Sequence, residues 1–317
     1  MTFIDVFNGD ADGICALHQL RLAEPHDSQL VTGVKRDISL LKKVQAGAGD
    51  LITVLDISLD KNRDDLVRLL DSGARVRYFD HHYAGEIPQH PSLEVHIDTD
   101  PNICSSLLVS RSLNDAYLPW AVTAAFGDNL FESAYHAAES LKLSANQLEQ
   151  LKTLGLCLNY NGYGSSLEDL IYPPAELYKL LVPYVDPFSF IHEAPGYARL
   201  LEGYQQDFEQ VATLAPDFVD QGHAVYVLPD ARWARRVGGV YANQLAQAHP
   251  QRAHAMLTMR ADGGYMVSVR APLNNKRGAD SLCRQFDTGG GREAAAGINH
   301  LPARDYDRFV AAFKAAF

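Results

Sequence analysis

The sequence predicts an α/β protein with two lobes, a parallel-sheet domain with a helical extension followed by a smaller mixed α/β domain. Three observations carry the prediction. Apolar runs of strand length recur at Phe3–Phe7, Leu51–Leu55 and 76–79, with helical periodicity between them. Each run ends in groups that carry chemistry: Asp10 and Asp12 after the first, Asp56 after the second, and Asp80, His81 and His82 after the third. Mostly helical patterns then fill 117–215, and strand–helix alternation returns beyond Gln221. Repeated βα units at this spacing imply a parallel sheet with helices on both faces. Open sheets of that kind bind ligands at the carboxyl ends of their strands.

In chain order, the first strand leads through Gly13 into a helix marked by Ile14, Leu17 and Leu20. A strand is expected over 29–34. Asp37 reads as the N-cap of a helix over 38–46, because its side chain can accept from the first free amides. The Leu51–Leu55 strand precedes a helix over 61–70 that stops near Gly73. A further strand is expected over 94–97. Helices follow over 132–143 and 145–154, and the run Asn159-Tyr160-Asn161-Gly162-Tyr163-Gly164 reads as a surface turn from its Asn and Gly content. A helix over 197–215 ends at Pro216. That makes 195–222 the linker region, between a 1–194 domain and a 223–317 domain. In the second domain, strands at 224–228, 255–259 and Tyr265–Arg270 accompany a helix over 237–248. A helix over 280–286 then precedes a glycine-rich loop.

Composition narrows the function classes. Of 317 residues, 47% are hydrophobic, ample for a core. No apolar run is long enough to span a bilayer and no basic-then-apolar leader opens the sequence, so neither a membrane partner nor a signal peptide is expected. Cys15, Cys104, Cys157 and Cys283 are scattered without a CxxC, which suits a reduced, cytoplasmic protein. The net charge of −11 conceals a split. Residues 221–317 carry a net +6 (13 Lys+Arg, 7 Asp+Glu), and residues 1–220 a net −17 (15 and 32). An acidic part suited to cations is joined to a basic part suited to an anionic substrate.

Asp10, Asp12, Asp56, His81 and Asp128 offer four hard oxygen ligands and an imidazole, a set for Mn2+ or Mg2+ rather than for thiolate-bound Zn2+. One Asp at a strand end is an ordinary N-cap or turn residue; several, with an Asp-His-His triplet, are not explained that way. Two such cations about 3.5–4 Å apart would share a carboxylate, activate a water and steady an anionic phosphorus transition state. Gly289, Gly290 and Gly291 leave backbone amides open to an anion and read as a phosphate nest. Arg292 borders it, and a guanidinium can pair with a phosphate through two hydrogen bonds.

With Asp10-Ala11-Asp12-Gly13, Asp56, Asp80-His81-His82 and Asp128 in this order, the chain resembles a DHH-family phosphoesterase. Its last part is similar to the DHH-associated domain of nanoRNases, adenosine 3′,5′-bisphosphate phosphatases, RecJ exonucleases and cyclic-dinucleotide hydrolases, through Arg270 on a strand and the glycine run ending in Ala295-Ala296-Gly297. The resemblance covers about 1–130 and 224–300 and implies two lobes facing an active-site cleft. It implies one or two Mn2+ ions, with Asp10 and Asp56 on one, and Asp12, Asp56, His81 and Asp128 on the other. It further implies His82 as a substrate contact or proton donor, Asp80 as the group orienting the histidines, and Arg270, the glycines and Arg292 as substrate contacts. Two departures stand out. Val6 and Asn8 occupy positions where many members carry a His or an acid; Asn8 brings a neutral carbonyl oxygen, so two cations of unequal affinity are expected. Arg292 stands where the glycine loop usually has His, and is expected to clamp a terminal phosphate.

The function expected is metal-dependent hydrolysis of phosphate esters in small nucleotides or short single-stranded oligonucleotides. Two other functions share these residues: an inorganic pyrophosphatase or polyphosphatase, and a non-catalytic nucleotide-binding regulator. Aromatic platforms at Tyr160, Tyr163 or Trp233 would favour a nucleotide, since phosphate chains need no stacking surface. Oligomeric state, including a dimer, stays open at this level.

Overall fold

The computed structural model describes residues 1–317, which separate into two compact units, Met1–Tyr204 and Gln205–Phe317. The first opens with β1 (Phe3–Phe7), α1 (Ala11–Ala23), β2 (Gln29–Val31), β3 (Leu51–Leu55), α2 (Leu59–Asp71), β4 (Arg75–Asp80) and β5 (Leu93–Ile97). All five strands are parallel, in the order β2-β1-β3-β4-β5. Alternation sorts their side chains. Ile4, Val6, Ile52, Val54, Val76 and Tyr78 share one face with Leu66, Leu69 and Leu70 of α2 in a buried core. Asp5 lies on the opposite face, fully buried, and is paired at both oxygens by Arg21 with a further bond from Ser28. A charge can sit inside a central strand because a bidentate guanidinium satisfies it.

Helices α3 (Ser105–Ser112), α4 (Leu118–Gly127), α5 (Phe131–Ala138), α6 (Ala145–Gly162), α7 (Pro174–Leu181), α8 (Pro187–Glu193) and α9 (Pro195–Val211) follow. Helix α1 packs against α3, α4 and α6, and is buried from Ala11 to Leu20. The division between the units falls within α9, inside the 195–222 segment that also holds β6 (Phe218–Val219).

Two expectations are corrected here. No helix covers 38–46; only a 3-10 turn, Leu41–Lys43, forms. Buried Asn62 of α2 takes the backbone of this segment instead, accepting from Leu41 N–H and donating to the Ile38 carbonyl. Asp37 pairs with Lys43 rather than capping. Nor is 159–164 a surface turn. Helix α6 runs on to Gly162 with Asn159, Tyr160 and Asn161 buried, because Asn161 satisfies its amide on both backbone groups of Tyr172. Tertiary hydrogen bonds outweigh local preference in both cases, the helical pattern of 38–46 in the first and the turn preference of Asn and Gly in the second.

The second unit adds β7 (His223–Leu228), α10 (Arg232–Ala248), β8 (Ala253–Met259), β9 (Tyr265–Arg270), α11 (Ala279–Cys283), β10 (Gly289–Gly291), β11 (Ala295–Leu301) and α12 (Tyr306–Ala316). Its sheet order is β10-β11-β9-β8-β7-β6, mixed, with only β7 and β8 parallel. Val267, Val269 and Ile298 pack with Phe309 and Phe313 of α12 in its core.

Candidate metal centre

The carboxyl ends of β1, β3 and β4 bring their acids and imidazoles together. Asp12 lies in the first turn of α1, and Gly13 beside it is obligatory: a Cβ there would sit 2.2 Å from the Asn8 carbonyl oxygen. Both Asp12 oxygens accept from the start of α3, Oδ2 from Ser105 N–H and Oδ1 from Ser106 N–H, each at 2.8 Å. Asp56 follows β3 with φ +57°, a left-handed conformation that Asp tolerates better than most residues and that concentrates at functional sites. Its Oδ1 accepts from Ser105 Oγ at 3.2 Å. Asp128 caps the C-terminus of α4. Asn129 stands left-handed behind it, and bonds from Asn129 N–H to Phe126 and from Leu130 N–H to Ala125 close a Schellman motif that fixes the aspartate's place.

His81 Nδ1 lies 2.9 Å from the Ile103 carbonyl. It donates there, which leaves Nε2 facing Asp56 at 3.4 Å and Asp128 at 3.8 Å. His82 Nδ1 is held at 2.7 Å by Asp80. Asp80 therefore orients His82 alone, and the Ile103 carbonyl does this for His81. Ligand atoms of Asp12, His81 and Asp128 lie within 4.8 Å of one another, as do those of Asp56, His81 and His82. His82 is thus in reach of the same centre.

The electrostatics of this cluster favour a cation. Burial raises the Asp56 carboxyl well above its ordinary range, and the charges of Asp12 and Asp10 raise it further. Burial also raises Asp12; His81 opposes this, while Asp128 and Asp10 add to it. Burial alone would lower the His81 imidazole, but the hydrogen bond to Asp56 and the charges of Asp128, Asp56 and Asp12 outweigh it and hold it at about 10. Asn8 Oδ1 and Asp80 Oδ2 are buried without a hydrogen-bond partner. Oxygen and imidazole donors and the mutual repulsion of the buried carboxylates together fit a hard divalent ion.

Asp10 stands apart from both donor groups. Its Oδ1 caps α1 by accepting from Asp12 and Gly13 N–H, and its Oδ2 meets Lys35 Nζ at 2.5 Å. The same ammonium donates to Asn159 at 2.8 Å and lies 3.5 Å from Asp128 Oδ1. Burial would lower this ammonium, but Asp10, Tyr163 and Asp128 outweigh it and push it well above its usual range. Asn8 donates from Nδ2 to the Lys35 carbonyl at 3.4 Å. Sequence reasoning missed Lys35, Ser105, Ser106 and Asn159. Only Lys35 carried a signal, since it follows the β2 run much as the acids follow theirs.

In the second unit, Arg270 leaves β9 towards α10, donating to Asn243 at 2.6 Å and to Ser268 Oγ at 3.0 Å. The glycine run forms a strand rather than the expected loop. Gly289, Gly290 and Gly291 form edge strand β10, paired antiparallel to β11. Close packing explains two of the glycines: a Cβ on Gly289 would lie 1.8 Å from the Cys283 carbonyl oxygen, and one on Gly291 would lie 2.5 Å from Ala296 Cα. Arg292 is exposed at the β10–β11 turn, its N–H and carbonyl both bonded to Ala295. Tyr160 is fully buried and offers no stacking surface.

No protein-family model matches the chain, and no curated protein matches it by sequence. Solved structures do. A RecJ exonuclease bound to manganese aligns over 99% of this chain and 89% of its own, with a TM-score of 0.65 at 16% identity. RecJ of Thermus thermophilus in complex with Mn2+ aligns over 99% of this chain with a TM-score of 0.66 at 16% identity, but over only 51% of its own length. The pGpG-specific phosphodiesterase PggH of Vibrio cholerae aligns over the whole of both chains, with a TM-score of 0.59 at 15% identity. The fold is shared with these RecJ and PggH structures. The triplet Asp80-His81-His82 stands at the end of β4. No helix is long and apolar enough to cross a membrane.

Proposed function

We propose that the chain is a divalent-metal-dependent phosphoesterase that cleaves phosphodiesters in small nucleotides or short oligonucleotides. The observation that carries this is the convergence of Asp12, Asp56, His81 and Asp128, from four separate elements, on donor groups that share His81. Asp12, Asp56, His81 and Asp128 are assigned as the residues that hold the ion, with Mn2+ the first choice from the two manganese-bound neighbours. The ion, when bound, supplies an acidified water and a positive charge for the phosphorus centre.

The protein's own residues do the rest. Ser105 and Ser106 amides fix the Asp12 carboxylate, the Ile103 carbonyl sets the ligating nitrogen of His81, and Asp80 orients the His82 ring through Nδ1. With its Nδ1 proton held by Asp80, His82 has Nε2 left to donate a proton to a leaving oxygen. Full-length alignment with PggH supports a substrate of linear-dinucleotide size.

The test is Mn2+-dependent hydrolysis of a linear dinucleotide and of bis-p-nitrophenyl phosphate, with Asp56→Ala beside the wild type. Activity in the wild type and a loss in Asp56→Ala larger than the roughly 10–100-fold typical of outer-shell changes are expected. A wild type that binds Mn2+ yet opens no phosphodiester or nucleotide monoester would defeat the proposal.

A further inference from the structure

An ammonium has three N–H groups, and those of Lys35 have three oxygen partners. Asp10 Oδ2 lies at 2.5 Å, Asn159 Oδ1 at 2.8 Å and Asp128 Oδ1 at 3.5 Å. The lysine is held at both ends. Its backbone N–H donates to the Gly162 carbonyl at 2.8 Å and its own carbonyl accepts from Asn8, while its Nζ lies 5.5 Å from the centre of the Tyr163 ring. Its side chain is only 22% exposed. All of these partners belong to residues 1–204.

The consequence is a division of labour among the four carboxylates. Asp10 is committed to the lysine and to capping α1. Asp128 spans both sides, one oxygen towards Lys35 and the other 3.8 Å from His81 Nε2. Asp12 and Asp56 remain with His81. A dication placed among Asp10, Asn8 and the near oxygen of Asp128 would lie against a fixed ammonium and compete for the same oxygens. Coulomb repulsion in a buried site makes that costly. Asn8 brings a neutral oxygen to that side and Val6 none, so little charge is left there to attract an ion once Asp10 is paired.

We propose that Lys35 is a built-in cation standing in place of a second metal, so that the chain holds one divalent ion rather than two. Lys35 is a positioning residue: it neutralises Asp10 and pins the oxygen of Asp128 that does not face His81. Its charge is supplied by the chain whatever the metal concentration. This rests on the phosphoesterase reading of the same centre, and it concerns metal count, which activity alone does not report.

The experiment is Mn2+ binding to the full chain, followed by the electron paramagnetic resonance signal of free ion and by metal analysis after desalting. Wild type, Lys35→Met, Lys35→Ala and Asp10→Asn are compared, each checked by circular dichroism. One ion is expected in the wild type. Two are expected in Lys35→Met, which keeps the apolar stem, and in Lys35→Ala, because Asp10, Asn8 and Asp128 are then donors for a second ion; exchange coupling between the two Mn2+ would appear. Asp10→Asn, whose amide oxygen still caps α1, should keep one ion. Two ions in the wild type would overturn the proposal while leaving the phosphoesterase reading intact. So would a count of one in every folded Lys35 variant, or loss of the ion in Asp10→Asn. No bound ion in the wild type would remove the metal centre itself, and the functional reading with it.

Discussion

At the scale of single residues, His81 and His82 are neighbours with different work. Each is fixed by a hydrogen bond at Nδ1, but to a neutral carbonyl in one case and to a buried carboxylate in the other. The carboxylate engages Nδ1 and leaves Nε2 for proton transfer by His82. His82→Ala should therefore lower kcat by roughly 10²–10⁴-fold while leaving Mn2+ stoichiometry unchanged; loss of the ion in titration would make His82 a ligand instead. His18 lies outside the centre and sets a pH limit. Its Nε2 donates to the Tyr184 carbonyl at 2.8 Å, and its ring meets Trp120 edge-on at 4.7 Å. Burial lowers it from 6.5 to about 4, with the carbonyl bond opposing. Because the folded value is depressed, the unfolded chain takes up a proton first. Stability is whole above pH 6.5 and falls as the pH drops towards 4, by roughly 3 kcal/mol in all. His18→Gln keeps a donor without the titration, so denaturant melts from about pH 7 to about 4.5 should show the wild type losing stability against it. A constant difference would refute this.

At the scale of elements, α6 shows how a helix end is built into a site. Its last turn brings Asn159 to Lys35 and the Gly162 carbonyl to the Lys35 N–H. Asn161 anchors that turn, donating to the Tyr172 carbonyl at 2.8 Å and accepting from its N–H at 3.0 Å. Asn161→Ala would leave two backbone groups without partners, at roughly 1–3 kcal/mol each. We expect a lower unfolding midpoint by calorimetry and a weaker grip on Lys35. Local composition points the other way, since Asn and Gly together favour turns. The partner that reverses it, Tyr172, lies beyond any local window. Segment 38–46 departs from its expected helix for the same reason, its backbone being claimed by Asn62 from the next helix.

For the molecule as a whole, the two units carry different chemistry, acids and imidazoles in the first and most of the excess arginine in the second. Ion binding should stabilise the folded chain by linkage, by about 2.7 kcal/mol at a hundred times Kd. Thermal scans should show Mn2+ raising the midpoint of the wild type, EDTA reversing it, and Asp56→Ala not responding. An equal shift in Asp56→Ala would place the ion elsewhere.

The parallel sheet, and which of its strands end in acid, could be read from the order of residues alone. Period and composition are local properties, and a strand that terminates in Asp delivers it at the sheet's carboxyl edge whatever surrounds it. Asp12, Asp56 and His81 follow strands and were legible for that reason, whereas Asp128 caps helix α4 and reads only as a turn residue in motif order. It took the folded chain to show that Asp10 faces a lysine, that Asp80 holds one histidine and the Ile103 carbonyl the other, and that three glycines pair as a strand. Such outcomes turn on which groups meet across long stretches of chain, 22 residues in the case of His81 and Ile103. Packing and charge pairing settle such meetings, and neither has a period to read.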